Sequence, residues 1–256
     1  MPSQPQPTVT ADPSTPDSIQ RALAELDDGG IVHLLPGTHV VRSTITLPSH
    51  VALVGAGPDR TTIELVPGAS CHVFTNDEPG GRSTGIELRG FRLEGNMRTQ
   101  HKPPDVKGIT FACGGYFKRV DDIAVVDVVA CSIRQSAFHF SRCTQVRLER
   151  LETDELGWSG VSTSGTDDIT LREVVVTRAG LDKRHSGIHL DGGHGAYVHA
   201  LVEDCTGNGI MLDSVFAPLT DVVVRGVARR SMRGLSLSGD RNSQLLNIHI
   251  LSLIHI

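Results

Sequence analysis

The sequence predicts an all-β chain wound as a right-handed parallel β-helix, with a short α-helix capping its N-terminal end. Three observations predict it. A small residue followed by apolar–x–apolar recurs as GIEL, GITF, AFHF, GVST, GIHL, GIML and GLSL, at steps of 22–29 residues. A second ladder of strand-like runs, of similar period, lies between these. Only one segment reads as an amphipathic helix, and it stands ahead of both ladders. Two interleaved strand ladders of one period describe a solenoid, in which each coil buries its inner face on its neighbours.

In chain order, residues 1–14 are rich in Pro, Ser, Thr and Gln without apolar periodicity, and are expected to be a flexible polar arm. A helix is expected over 15–28: Thr15 caps it, Pro16 suits its first turn, and Ile19, Ala22, Leu23 and Leu26 share one face. Gly29 and Gly30 end it. The first ladder is then carried by Ile86, Ile109, Phe138, Val161, Ile188, Ile210 and Leu235. The second is carried by Ile123, Val146, Ile169, Val198 and Val222, and polar pairs such as Asp121-Asp122, Asp167-Asp168 and Thr220-Asp221 turn the chain into it. One domain over 15–250 follows. The last coil is succeeded only by Leu251-Ser252-Leu253-Ile254-His255-Ile256, with no polar cap, so 251–256 is expected to be the non-native tail of a truncated chain, resembling a translated sequencing adapter.

Composition narrows the function classes. Hydrophobic residues make up 39% of 256 and charged residues 21%, enough for a folded core, while no apolar run reaches the roughly 18 residues of a membrane-spanning helix. Lys and Arg total 24 against 29 Asp and Glu, a net charge of −5, which speaks against a nucleic-acid partner. The five cysteines form no C-x-x-C pair, so a zinc knuckle or a dithiol redox site is not expected. Residues 1–14 contain no basic stretch followed by an apolar one. A leucine-rich repeat is excluded by the missing L-x-x-L-x-L frame, and the calcium-binding nonapeptide fails because Gly192-Gly193-His194-Gly195 runs on into Ala196-Tyr197.

The stretch from Asp17 to Leu65 resembles the N-terminal segment of pectate-lyase-like β-helix proteins. There a capping helix leads to an L-P-x-G-x-Y-like strand, where this chain has Leu35-Pro36-Gly37-Thr38-His39. Leu47-Pro48-Ser49-His50-Val51, Gly55-Ala56-Gly57 and Thr62-Ile63 match the coils that follow. With the repeats, the resemblance covers roughly 15–250. It implies the β-helix fold, an extracellular or cell-surface setting, and action on an acidic or mixed polysaccharide by a lyase, a glycoside hydrolase or a uronate epimerase. The superfamily also includes inactive scaffolds, so a non-catalytic glycan-binding or surface-structural module is the alternative. Gly193-His194-Gly195 also occurs in polygalacturonases, but their Asn-Thr-Asp and Arg-Ile-Lys are absent here. The epimerases' Asp-Pro-His-Asp and the lyases' Arg-x-Pro-x-x-Arg are absent as well.

Period-2 alternation sorts each strand into inward and outward positions. The first outward column reads Glu87, Thr110, His139, Ser162, His189, Met211, Ser236; the second reads Arg89, Ala112, Ser141, Ser164, Asp191, Asp213, Ser238. Asp191 and Asp213 are thereby expected one coil apart, with His189 beside them, as the catalytic group. Two carboxylates can act as acid and base or nucleophile on a glycosidic bond, and a His beside a carboxylate can remove a proton next to a uronate carboxyl group. Arg184 or Arg233 is expected to neutralise the developing charge, and His139 and the single Trp158 to bind sugar. Against this stands the plainer reading of an ordinary solvated face, with Trp158 as local packing. No cofactor is evident, and calcium stays open without a motif to support it.

Overall fold

The computed structural model describes residues 6–77, 81–102, 111–182, 184–239 and 244–255. Every strand pairing in it is parallel, as a solenoid requires. Eight short strands stack as one sheet: Ile45–Leu47, Phe74–Asn76, Gly115–Lys118, Phe138–Ser141, Val161–Ser164, Ile188–Asp191, Asn208–Asp213 and Arg233–Ser238. A 12-stranded sheet faces it, and its later members are long, from Ser83–Glu94 and Val120–Ile133 through to Leu245–His255.

The long strands stay in one sheet although each turns three corners along its length, because the same residue in each coil adopts a left-handed conformation. One corner column is Asp122, Gln145, Asp168, Asp221 and Asn247, a second is Asp127, Arg150 and Glu173, and a third is Ser132, Glu155, Arg178, Asp204 and Arg230. Asp and Asn tolerate this conformation, which accounts for the polar pairs turning into the second ladder. Where Arg or Glu occupies a corner, contacts with the next coil compensate. Arg150 Nε donates to Asp127 Oδ1 (2.5 Å), Arg230 Nε to Asp204 Oδ1 (2.6 Å), and Ser132 Oγ to Glu155 Oε2 (3.0 Å).

Inside, the alternating positions build one continuous core. Phe117, Phe138 and Phe140 are fully buried, with neighbouring rings stacked at 5.8 and 6.5 Å between centroids. The small residue that opens each repeat has a steric reason. A Cβ on Gly187 would stand 2.4 Å from Val202 Cγ1 of the opposite sheet, so only a glycine lets the two sheets close there.

Several elements differ from the sequence-based expectation. The helix is shorter, Ser18–Ala24, and Asp17 rather than Thr15 precedes it, in a left-handed conformation without a side-chain cap. Thr15 instead closes a turn onto Asp12. Its buried face includes Ile19, Ala22 and Leu23, laid over the first coils, and Leu26 is buried just past its end. The expected arm over 1–14 is partly strand: Thr8–Ala11 pairs with Gly30–Leu34, because Ala11 finds a buried place beside the helix. Ile86 belongs to the long sheet, opposite Ile123, so Glu87 and Arg89 do not join the outward columns. Phe74 and Gly115 occupy the places expected of Ile86 and Ile109, and Ile109 and Thr110 lie outside the described residues. In the second ladder Ala196, not Val198, stands opposite Ile169. Both face inward two residues apart, so period-2 alternation alone cannot choose between them. Residues 245–255 form a strand paired with Leu219–Arg229.

Candidate functional site

Strand alternation builds the site. Ile188 and Leu190 are fully buried, so His189 and Asp191 point out of the same strand, and Asp213 of the next coil stands in register with Asp191. One donor atom from each of His189, Asp191 and Asp213 lies within 4.8 Å of the others. His189 Nε2 is 3.6 Å from Asp213 Oδ2 and is buried without a hydrogen-bond partner among the described residues.

Both carboxylates are fixed by the turn that follows Asp213. Ser214 N–H donates to Asp213 Oδ1 at 2.8 Å, and Phe216 N–H donates to Asp191 Oδ1 at 2.8 Å. Burial pushes the Asp191 carboxyl above the usual carboxylate range; the Phe216 N–H opposes this and the charge of Asp213 adds to it. The three groups could also hold a metal ion, but two carboxylates and an imidazole fall short of the six to eight oxygens that calcium takes.

The other expected residues divide. His139 is on the same outward column, two coils before His189, with Nδ1 2.8 Å from Ser162 Oγ. Its ring stacks on Tyr116 at 5.2 Å, and Tyr116 stacks on His72 at 4.8 Å. Burial brings both imidazoles down to about 4, so both are neutral above mildly acidic pH. Trp158 precedes its strand and stacks on His185 at 4.5 Å between ring centroids. Arg184 likewise precedes its strand, and Arg233 is in register with Asn208, five residues before Asp213. That is roughly 17 Å along a strand. Trp158, Arg184 and Arg233 therefore stand at the strand starts and the carboxylates at the strand ends, so the fold does not bring these three to the acidic pair.

At the strand ends themselves, sequence reasoning missed Arg142 and Phe216. The Arg142 guanidinium carbon sits 5.4 Å from the Phe216 ring centroid. The available signal was Val215-Phe216, an apolar pair set one residue beyond a column aspartate and left exposed. A separate groove of about 710 Å³, lined by residues including Arg89, Asp127, Arg150 and Glu173, runs over the long sheet and holds none of the expected site residues.

No family model matches the chain, and no curated protein does. Solved structures do. The pre-mature bacteriophage phi29 gene product 12 is similar at a TM-score of 0.77 and 18% identity, over 90% of this chain and 33% of that one. This chain thus spans about a third of the phage protein's length. A hyperthermoactive exopolygalacturonase from Thermotoga maritima gives a TM-score of 0.61 at 11% identity, over 96% of this chain and 81% of that one. A ι-carrageenase in complex with ι-carrageenan fragments gives 0.54 at 11%, over 89% and 57%. At such identities the likeness is one of fold: like these structures, the chain is a right-handed parallel β-helix.

Proposed function

We propose that this chain is a carbohydrate-active β-helix protein that hydrolyses a glycosidic bond of a polysaccharide laid across the ends of its short strands. The observation that carries the reading is the pairing of Asp191 with Asp213. Two carboxyl groups sit one coil apart, and burial keeps the proton on Asp191 to higher pH. Asp191 then acts as the general acid toward the leaving oxygen, and Asp213 as its partner, base or nucleophile. Ser214 N–H, 2.8 Å from Asp213 Oδ1, holds that carboxylate in place, with His189 Nε2 3.6 Å from Oδ2. The exopolygalacturonase and the carrageenase, whose names place their substrates among polysaccharides, support the substrate class through shared fold.

A second reading, proton abstraction beside a uronate carboxyl group by a lyase or epimerase, is favoured by the unpartnered His189 Nε2. A panel of acidic and mixed polysaccharides separates the readings. New reducing ends without ultraviolet-absorbing unsaturated ends mean hydrolysis, unsaturated ends mean a lyase, and altered uronate stereochemistry without cleavage means an epimerase. Binding without any change would favour the non-catalytic module. Asp191→Asn and Asp213→Asn should each lower turnover at least about a hundredfold with the far-ultraviolet spectrum unchanged. Unaltered turnover in both would refute the site.

A further inference from the structure

We propose that Arg142, held over Phe216, is a specificity-determining residue that binds an anionic group of the glycan, a carboxylate or a sulfate, on a sugar neighbouring the one at Asp191 and Asp213. The inference rests on the short-strand face being the glycan-binding face.

The turn after Asp213 is built to reach Arg142. Its residues 214–217 fold back over the coils that precede it, and two glycines make the room. A Cβ on Gly192 would lie 2.8 Å from Ala217, and one on Gly165 would lie 2.5 Å from the Phe216 ring. Phe216 thus starts in the coil of Asp213, gives its N–H to Asp191, passes Gly165 and ends against Arg142. Arg142 and Gly192 belong to one column, since Arg142 N–H donates to Ser164 O and Gly165 N–H to Asp191 O. Two coils, about 10 Å, separate Arg142 from the coil that carries Asp191.

Arg142 differs from other arginines at the corners, including Arg82 of its own column. Arg82, Arg150, Arg178 and Arg230 each bind an aspartate of the neighbouring coil through two nitrogens. Arg142 has no carboxylate partner among the described residues, and its guanidinium rests on an aromatic face while the side chain stays exposed. Stacking on the ring orients the guanidinium and leaves its N–H donors in the plane free for a planar or tetrahedral oxyanion, which it can take through two bonds at once. Arg119 stands one coil further on in the same column, so the potential along the strand ends changes from basic at Arg119 and Arg142 to acidic at Asp191 and Asp213. A polysaccharide engaged at the acidic pair presents its next sugars to the basic end.

The test is binding, measured by titration calorimetry on the full chain carrying Asp191→Asn, whose amide oxygen can still accept the Phe216 N–H. The probes are a galacturonate oligosaccharide, its fully methyl-esterified form and a ι-carrageenan oligosaccharide. Arg142→Gln should weaken binding of at least one acidic probe about tenfold and leave the methyl ester unchanged. Loss confined to the galacturonate identifies a carboxylate site, and loss confined to the carrageenan a sulfate site. Arg142→Lys should recover part of the affinity. Equal weakening of acidic and esterified probes, no change, or no binding of either acidic probe before Arg142 is replaced would overturn the proposal. Because no readout is a cleavage, failure of the hydrolytic reading leaves this result standing by itself.

Discussion

At the scale of single residues, the partly buried site of Asp191 costs stability once its carboxyl ionises. The folded state holds the Asp191 proton more tightly than the unfolded chain does, whose carboxyl titrates near 3.8. The stability associated with this group is therefore greatest below 3.8 and declines as pH rises through the higher folded value. Asp191→Asn cannot ionise, so it should melt higher than the parent chain at pH 7, with the difference vanishing toward pH 4. The rise should not exceed about 2–4 °C, because solvent screens a half-exposed group. Melting curves across that range check it; a variant less stable by the same margin at every pH contradicts it. The His189, Asp191 and Asp213 juxtaposition was legible because it needs only alternation within one strand and one repeat step between two. Arg142 was not, because its partner Phe216 arrives from a turn that crosses two coils, and no periodicity encodes such a crossing.

At the scale of the repeating element, the small residue opening each coil is the strongest sequence signal, and its cause is contact between the two sheets. Gly187→Ala puts a methyl group where Val202 Cγ1 and Cys205 Sγ already stand, at 2.4 and 2.9 Å, and should cost about 1–3 kcal/mol. Gly81 meets nothing within 4 Å, so Gly81→Ala should be neutral or slightly stabilising, by up to about 1 kcal/mol. Denaturant midpoints of the two variants check the contrast, and equal effects would deny that the opposite sheet sets the small position. The same steric logic explains one of the coils misread from sequence. Gly115, pressed between the Phe117 and Phe138 rings, takes an inward place that an isoleucine fills elsewhere, so GYFK does not look like a repeat. GIEL does, yet its Ile86 belongs to the other sheet. The step from Phe74 to Gly115 is also 41 residues, well over one period.

At the scale of the whole molecule, a solenoid's stability is close to a sum over neighbouring coils, so it need not be uniform along the axis. The N-terminal coils are covered by the helix, whose Ile19, Ala22 and Leu23 are almost wholly buried against them. Central strands such as Thr144–Leu156 pair on both sides, and their inward residues Leu148 and Leu151 are fully buried. The strand Leu245–His255 pairs, among the described residues, with Leu219–Arg229 alone. It leaves Leu246 at 50%, Leu251 at 65% and Ile254 at 54% exposure. With Leu246, Leu251 and Ile254 half exposed or more, this strand buries less apolar surface than the central ones, so its amides should open at a lower free energy. Hydrogen exchange followed by mass spectrometry should show the slowest peptides between residues 120 and 202. Rates should rise through 219–229 and be fastest over 245–255. Asp213 belongs to the coil where this gradient begins, so glycan bound at Asp191 and Asp213 should slow exchange over 208–218 more than over 138–141. Uniform protection along the axis, or slowest exchange in the last strand, would contradict the coil-by-coil account.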